Sequence, residues 1–130
     1  MFAIDSNVLV RLLVRDDLSQ AKRAAALFEK NEIYICKTVI LETAWVLRFS
    51  YALSIPVIVN ALRNVIGLPQ VIVEDIPAVA EALALCEAGM DFANALHLCA
   101  SQEAASFATF DKRMKQRAHK AAPGRQVEIL

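Results

Sequence analysis

At 130 residues, with 57% hydrophobic side chains and a mean hydropathy of +0.42, the chain is sized for one domain, residues 1–130, with a core of its own. No apolar run approaches the ~20 residues of a membrane span, no leader-like start marks secretion, and Cys36, Cys86 and Cys99, spread singly through apolar contexts, suit a reduced cytoplasmic core rather than a disulfide frame or zinc site. Lys and Arg balance Asp and Glu at 14 each, but residues 1–111 carry 8 bases against 13 acids and residues 112–130 carry 6 against 1.

FAID, residues 2–5, reads as a short buried strand, and Ser6 or Asn7 then begins a helix through VLVRLLV. Ser19 suits the N-cap of a second helix, QAKRAAALFEKN, rich in strong helix formers. IYICK is β-branched and aromatic and reads as a strand, after which Thr38 opens a helix through VILETAWVLRFSYAL. Pro56 fits the first turn of VIVNALRNVIG, with Gly67 as its stop. QVIVED is a third strand, and Pro77 starts AVAEALALCEAG, which Gly89 ends. Asp91 caps FANALHLCASQEA, SFATF is a fourth strand, Asp111 opens a basic helix, and QVEIL closes as a fifth strand. Strands alternating with helices imply parallel pairing and a sheet covered on both faces, a three-layer α/β/α sandwich of about five strands.

Ligands in such sheets bind outside the carboxyl ends of the strands. Asp5 directly follows the first strand and Asp111 the fourth, so the two carboxylates converge if those strands are neighbours. Glu42 is the only charge between Lys37 and Arg48, with Thr38, Trp45 and Val46 as helical neighbours. Asp91 begins the helix leading into the fourth strand. Each acid also has a structural explanation: Asp91 and Asp111 suit helix caps worth roughly 1 kcal/mol, Asp5 suits a turn, and Glu42 can reach solvent. Gathered together, they would repel by about 4 kcal/mol per pair of charges ~4 Å apart at an effective dielectric near 20. A compensating cation relieves this, and an all-oxygen set favours Mg²⁺ or Mn²⁺. Such an ion can activate water against a phosphodiester.

FAIDSNVLVRLL, VILETAWVL, GMDFANALHLCAS and FATFDKRM, taken in order, resemble the PIN-domain nucleases, most closely the VapC-like toxins of toxin–antitoxin pairs. The resemblance runs from residue 2 to residue 114. It implies a PIN-like fold and a Mg²⁺- or Mn²⁺-dependent endoribonuclease with Asp5, Glu42, Asp91 and Asp111 as acidic metal and catalytic positions. Ser6, Asn7 and Thr109 match polar positions that orient carboxylates or touch a phosphate. A homodimer silenced by a cognate antitoxin is implied as well. One position departs from the pattern: Asn94 stands where relatives usually carry a second acid, and it brings a carbonyl oxygen without charge.

The basic segment after Asp111 makes Lys112, Arg113 and Lys115 candidate RNA contacts, against the plainer reading of a solvated helix face. His97 and His119 read as packing or surface residues, and Trp45, Phe49 and Tyr51 as core or dimer surface. Two further functions stay open. Asn94 suits a binding module that keeps the fold and partner contacts but has lost catalysis. Asp5 after a first strand also occurs in aspartate-nucleophile phosphotransfer enzymes, although Asn7 occupies their usual second-acid place.

Overall fold

A computed structural model describes residues 1–130. Backbone packing divides the chain into two units, Met1–Ile76 and Pro77–Leu130. The first unit contains β1 (Phe2–Ala3), α1 (Ser6–Leu13), α2 (Leu18–Lys30), β2 (Ile33–Ile35), α3 (Lys37–Phe49), α4 (Ile55–Ile66) and β3 (Val71–Val73). Its sheet has the order β1-β2-β3 with both pairings parallel, Phe2 opposite Ile33 and Ile33 opposite Val71. Central β2 contributes fully buried Ile33 and Ile35, and the helices bring Leu9, Ile40, Leu47 and Leu62 against this core. The turn into α3 is pinned to the end of β3. The Lys37 N–H donates to Glu74 Oε1 at 2.9 Å, and the Lys37 ammonium pairs with Asp75 at 3.3 Å.

The second unit contains α5 (Ile76–Glu87), α6 (Phe92–Ala100), β4 (Phe107–Thr109), α7 (Lys112–Ala121) and β5 (Val127–Ile129). β4 and β5 pair in parallel, Phe107 opposite Val127. Helix α5 buries Val79, Ala82, Leu83 and Cys86, so its composition is apolar nearly all round, whereas α7 buries only Met114 and Ala118 beneath a charged surface. Gly89, at φ 111°, makes the left-handed turn that ends α5 and delivers Met90 and Asp91 to the start of α6.

The chain is thus an α/β sandwich in which five strands, every one paired in parallel, are flanked by helices; their ladders are one of three strands and one of two. Four local expectations differ. Asp17, not Ser19, caps α2, its carboxylate accepting the Gln20 N–H at 3.0 Å, because the helix begins at Leu18. Helix α3 begins at Lys37 behind Cys36, one residue before Thr38. β1 is exposed, Phe2 by 50%, and burial falls on Ile4 just after it. Trp45 and Phe49 are 58% and 65% exposed, which removes them from the core. No helix is long and apolar enough to cross a membrane.

Candidate functional site

In the first unit, the parallel ladder carries the chain through Ile4, whose N–H reaches the Tyr34 carbonyl, to Asp5. Asp5 stands at the carboxyl end of β1 and is the N-cap of α1, its Oδ1 accepting the Val8 N–H at 3.0 Å. An acid here satisfies an orphan N–H of the first turn and gains from the positive end of the helix. Its second oxygen takes no hydrogen bond within the chain and the residue is exposed. Ser6, buried behind it, donates from Oγ to Glu42 Oε1. Glu42 lies on α3 beside Thr38 and Trp45, all three exposed, so the face that looks apolar in sequence is an outward one. Ser6 fixes the direction of the Glu42 carboxylate.

Asp5 and Asn7 also line a groove of about 380 Å³ between α1 and α2, with Arg11 and Arg23 on its walls. Arg11 is tied down: its Nη1 donates to the Tyr51 hydroxyl and to Asp16, and its Nε to Gln20. The Tyr51 hydroxyl in turn donates to Asp16 Oδ2 at 2.9 Å. The Tyr51 hydrogen bond and then Arg11 hold the Asp16 carboxyl below the usual carboxylate range, and Tyr51 first, then Asp16, raises the Arg11 guanidinium. In sequence Tyr51 groups with the aromatics Trp45 and Phe49, and nothing local to Arg11 or Arg23 places them on one groove; their meeting depends on how α1 and α2 pack.

In the second unit, Asp91 caps α6 by accepting the Asn94 N–H at 3.1 Å. Asp111 follows β4 and caps α7, one oxygen accepting the Arg113 and Met114 N–H groups at 2.9 and 3.0 Å. The Thr109 hydroxyl accepts the Asp111 N–H at 3.0 Å, so Thr109 sets the backbone of the acid rather than its carboxylate. Asp91, Asn94 and Asp111 share a pocket of about 240 Å³ with Met90, Met114, Arg113 and Arg117. Two exposed carboxylates thus open beside two guanidinium groups, a mixed lining that can take both a cation and a phosphate oxygen. Among the expected RNA contacts, Arg113 is in this pocket, Lys115 lines another concavity beyond α7, and Lys112 is exposed between them. Arg117 was missed, although it lies four residues after Arg113 on the same helix face. His97 is exposed on α6 and is not part of the pocket.

The donors fit a hard divalent ion in kind. Asp5, Asp91 and Asp111 each commit one oxygen to helix N–H groups and keep the other, and Glu42 is pre-oriented by Ser6. No group of three His, Cys, Asp or Glu side chains is gathered closely enough to hold such an ion by itself.

An α/β protein with parallel strands that end in exposed, cap-held carboxylates belongs to the broad class that builds its chemistry at strand ends. The PIN-domain family matches residues 2–120, and the chain belongs to that family. No curated protein and no solved structure matches it.

Proposed function

We propose that this PIN-domain chain is a VapC-like toxin, a Mg²⁺- or Mn²⁺-dependent endoribonuclease that hydrolyses RNA phosphodiesters, with Asp5, Glu42, Asp91 and Asp111 as its metal and catalytic acids and Asn94 as a neutral oxygen donor. The observation that carries the reading is the pocket in which Asp91 and Asp111 open beside Arg113 and Arg117. Carboxylates alone repel RNA, whereas a guanidinium fork on the same wall draws a phosphate to them. When bound, the ion makes water acidic enough to attack at neutral pH and offsets charge building on the phosphodiester. The chain's residues do the rest. Ser6 holds the Glu42 carboxylate in one orientation, Thr109 and the α7 N–H groups fix Asp111, and Arg113 and Arg117 bind phosphate oxygens.

The same reading makes the protein cytoplasmic and homodimeric, with a cognate antitoxin as its inhibitor. Its support is the outward pair Trp45 and Phe49, whose ring centroids lie 5.4 Å apart on α3. An apolar pair kept on the surface suits a protein partner.

The test is cleavage of single-stranded RNA with Mg²⁺ or Mn²⁺ and with chelator, beside Asp5→Asn. Metal-dependent cutting that Asp5→Asn lacks is the expected result, and equal cutting by both proteins overturns it. One observation favours a second reading, a binding module without catalysis: Asn94 brings an amide, not a charge, to the pocket of Asp91 and Asp111. RNA bound but uncut by the natural chain, with cutting gained by Asn94→Asp, selects that reading.

A further inference from the structure

Helix α7 has a concavity on each side. At 3.6 residues per turn, Arg113 and Arg117 flank buried Met114 and Ala118 on one side, and Lys115 and His119 flank them on the other. The first pair faces the pocket of Asp91 and Asp111. The second lines a separate concavity of about 290 Å³, closed by Gly124, Arg125 and Gln126. This second concavity contains no carboxylate. Lys115 and His119 are exposed and take no partner within the chain. Arg125 donates one N–H to the Ser101 carbonyl at 3.3 Å, and its buried Nη1 has no partner. The Lys115 ammonium, the His119 imidazole and the Arg125 guanidinium therefore line one hollow that contains no carboxylate. An anion there would accept from the exposed Lys115 and His119 side chains and offset the charges of Lys115 and Arg125. The outer surface of α7 between the two concavities carries exposed Lys112, Gln116 and Lys120, with no acid.

We propose that the Lys115–His119–Arg125 concavity is a second phosphate site for single-stranded RNA, reached by a strand that leaves the Asp91–Asp111 pocket and crosses the cationic back of α7. The crossing spans about 10 Å, the width of a helix with its side chains. The inference rests on the reading that the chain acts on RNA, and it adds where the strand goes beyond the acidic pocket. Binding there needs phosphates and no particular base, because every donor in the hollow suits a phosphate oxygen.

The experiment is fluorescence anisotropy of a labelled single-stranded RNA in chelator, over a range of salt, with the natural chain and with Lys115→Ala/His119→Ala. Both residues are exposed, so the variant should keep its thermal midpoint, which is measured alongside. The expected result is binding weakened by about tenfold, as for loss of a charge-assisted contact. The slope of log K against log salt should also become shallower by roughly 0.7 for each phosphate released. Unchanged affinity and slope overturn the proposal, as does a natural chain with no salt-dependent RNA binding. Cleavage by the same preparations with metal separates the two readings. If the natural chain cuts RNA and the variant binds as well as it does, only the second phosphate site fails. If the variant binds more weakly but the natural chain cuts nothing, only the nuclease reading fails. Inorganic phosphate at matched ionic strength is the second arm. Weak competition with RNA supports a strand site. Tight phosphate binding that the variant loses, without any effect on RNA, assigns the hollow to a free anion and overturns the RNA assignment.

Discussion

The Ser6 hydroxyl donates to Glu42 Oε1, joining the first turn of α1, just after Asp5, to the outward face of α3 across 36 residues of sequence. A charged acceptor makes this bond stronger than a neutral one, and Ser6 is only 9% exposed. Without the hydroxyl, Glu42 is free to sample solvent rotamers. Ser6→Ala should therefore raise the Mg²⁺ or Mn²⁺ concentration for half-maximal RNA cleavage by roughly tenfold, the scale of one charge-assisted hydrogen bond. Glu42→Gln keeps an acceptor for Ser6 but removes the charge, so it should cost more. A Ser6→Ala protein with an unaltered metal requirement would leave Ser6 a packing role alone.

Asp111 holds two roles that two substitutions separate. Its Oδ1 caps α7 through the Arg113 and Met114 N–H groups, its other oxygen takes no hydrogen bond within the chain, and the residue lines the pocket. Asn caps about as well as Asp, whereas Ala does not. Asp111→Asn should leave the thermal midpoint within about 2 °C and still lower cleavage by about a hundredfold or more. Asp111→Ala should lose the same activity together with about 1 kcal/mol of stability. Full activity in Asp111→Asn would reduce this acid to a cap.

Asn94 shares its pocket with Asp91 and Asp111 and is half-buried there. Asn94→Asp adds a third charge to that wall, which should destabilise the metal-free protein by repulsion and tighten divalent binding. The expected outcome is a lower midpoint in chelator and a larger rise on adding Mn²⁺ than the natural chain shows, with the metal needed for cleavage falling about tenfold. An identical metal response in the two proteins would place residue 94 outside the metal shell.

Features that a few neighbouring residues decide were legible in the sequence. Pro56 and Gly67 bracket α4, and Asp91 and Asp111 cap their helices, because capping is settled within three or four residues. Ser19 is a competent cap type in the right neighbourhood, but Asp17 takes the role because Leu18 already enters the helix. The relations between distant segments were not legible. Nothing local in FAIDSN tells that Ser6 will meet Glu42, nor in RFSYAL that Tyr51 will bridge Arg11 and Asp16. The Asp91–Asp111 pocket needs the starts of α6 and α7 side by side; Arg113 was legible as a candidate RNA contact, but not that it and Arg117 would share a wall with these two acids. Periodicity reported that Glu42 had apolar neighbours on α3, but not that this face points outward.

The Arg11–Tyr51–Asp16 network gives stability a pH dependence of known sign. Asp16 is held below its ordinary value by the Tyr51 hydrogen bond and then by Arg11. A depressed carboxyl contributes stability above its unfolded pKa, about 3.9, and loses it as pH falls through the lower folded value. Arg11 is shifted upward, so its share is complete at every ordinary pH and lost only in strong alkali. Tyr51→Phe removes the leading cause of both shifts. Its midpoint should lie below that of the natural chain at pH 7, and the gap should narrow as pH drops below about 4. A gap constant from pH 7 to pH 3 would show that Tyr51 acts by packing alone.

Thr43, next to Glu42 on α3, is fully buried, and its hydroxyl has no hydrogen-bond partner. An unpaired buried hydroxyl forfeits its hydration with nothing in return, at a cost of about 1–3 kcal/mol. Valine replaces the hydroxyl with a methyl of similar size and has a similar helix propensity, so the packing of Ile40, Ala44 and Leu47 around the position is kept. Thr43→Val should therefore raise stability by about 1 kcal/mol, read as a thermal midpoint about 4 °C higher, without altering RNA cleavage. A lower midpoint would mean that the hydroxyl is hydrogen-bonded in solution and holds α3 in place. Lost cleavage at a raised midpoint would mean that Glu42 depends on give in this helix that the tighter packing removes.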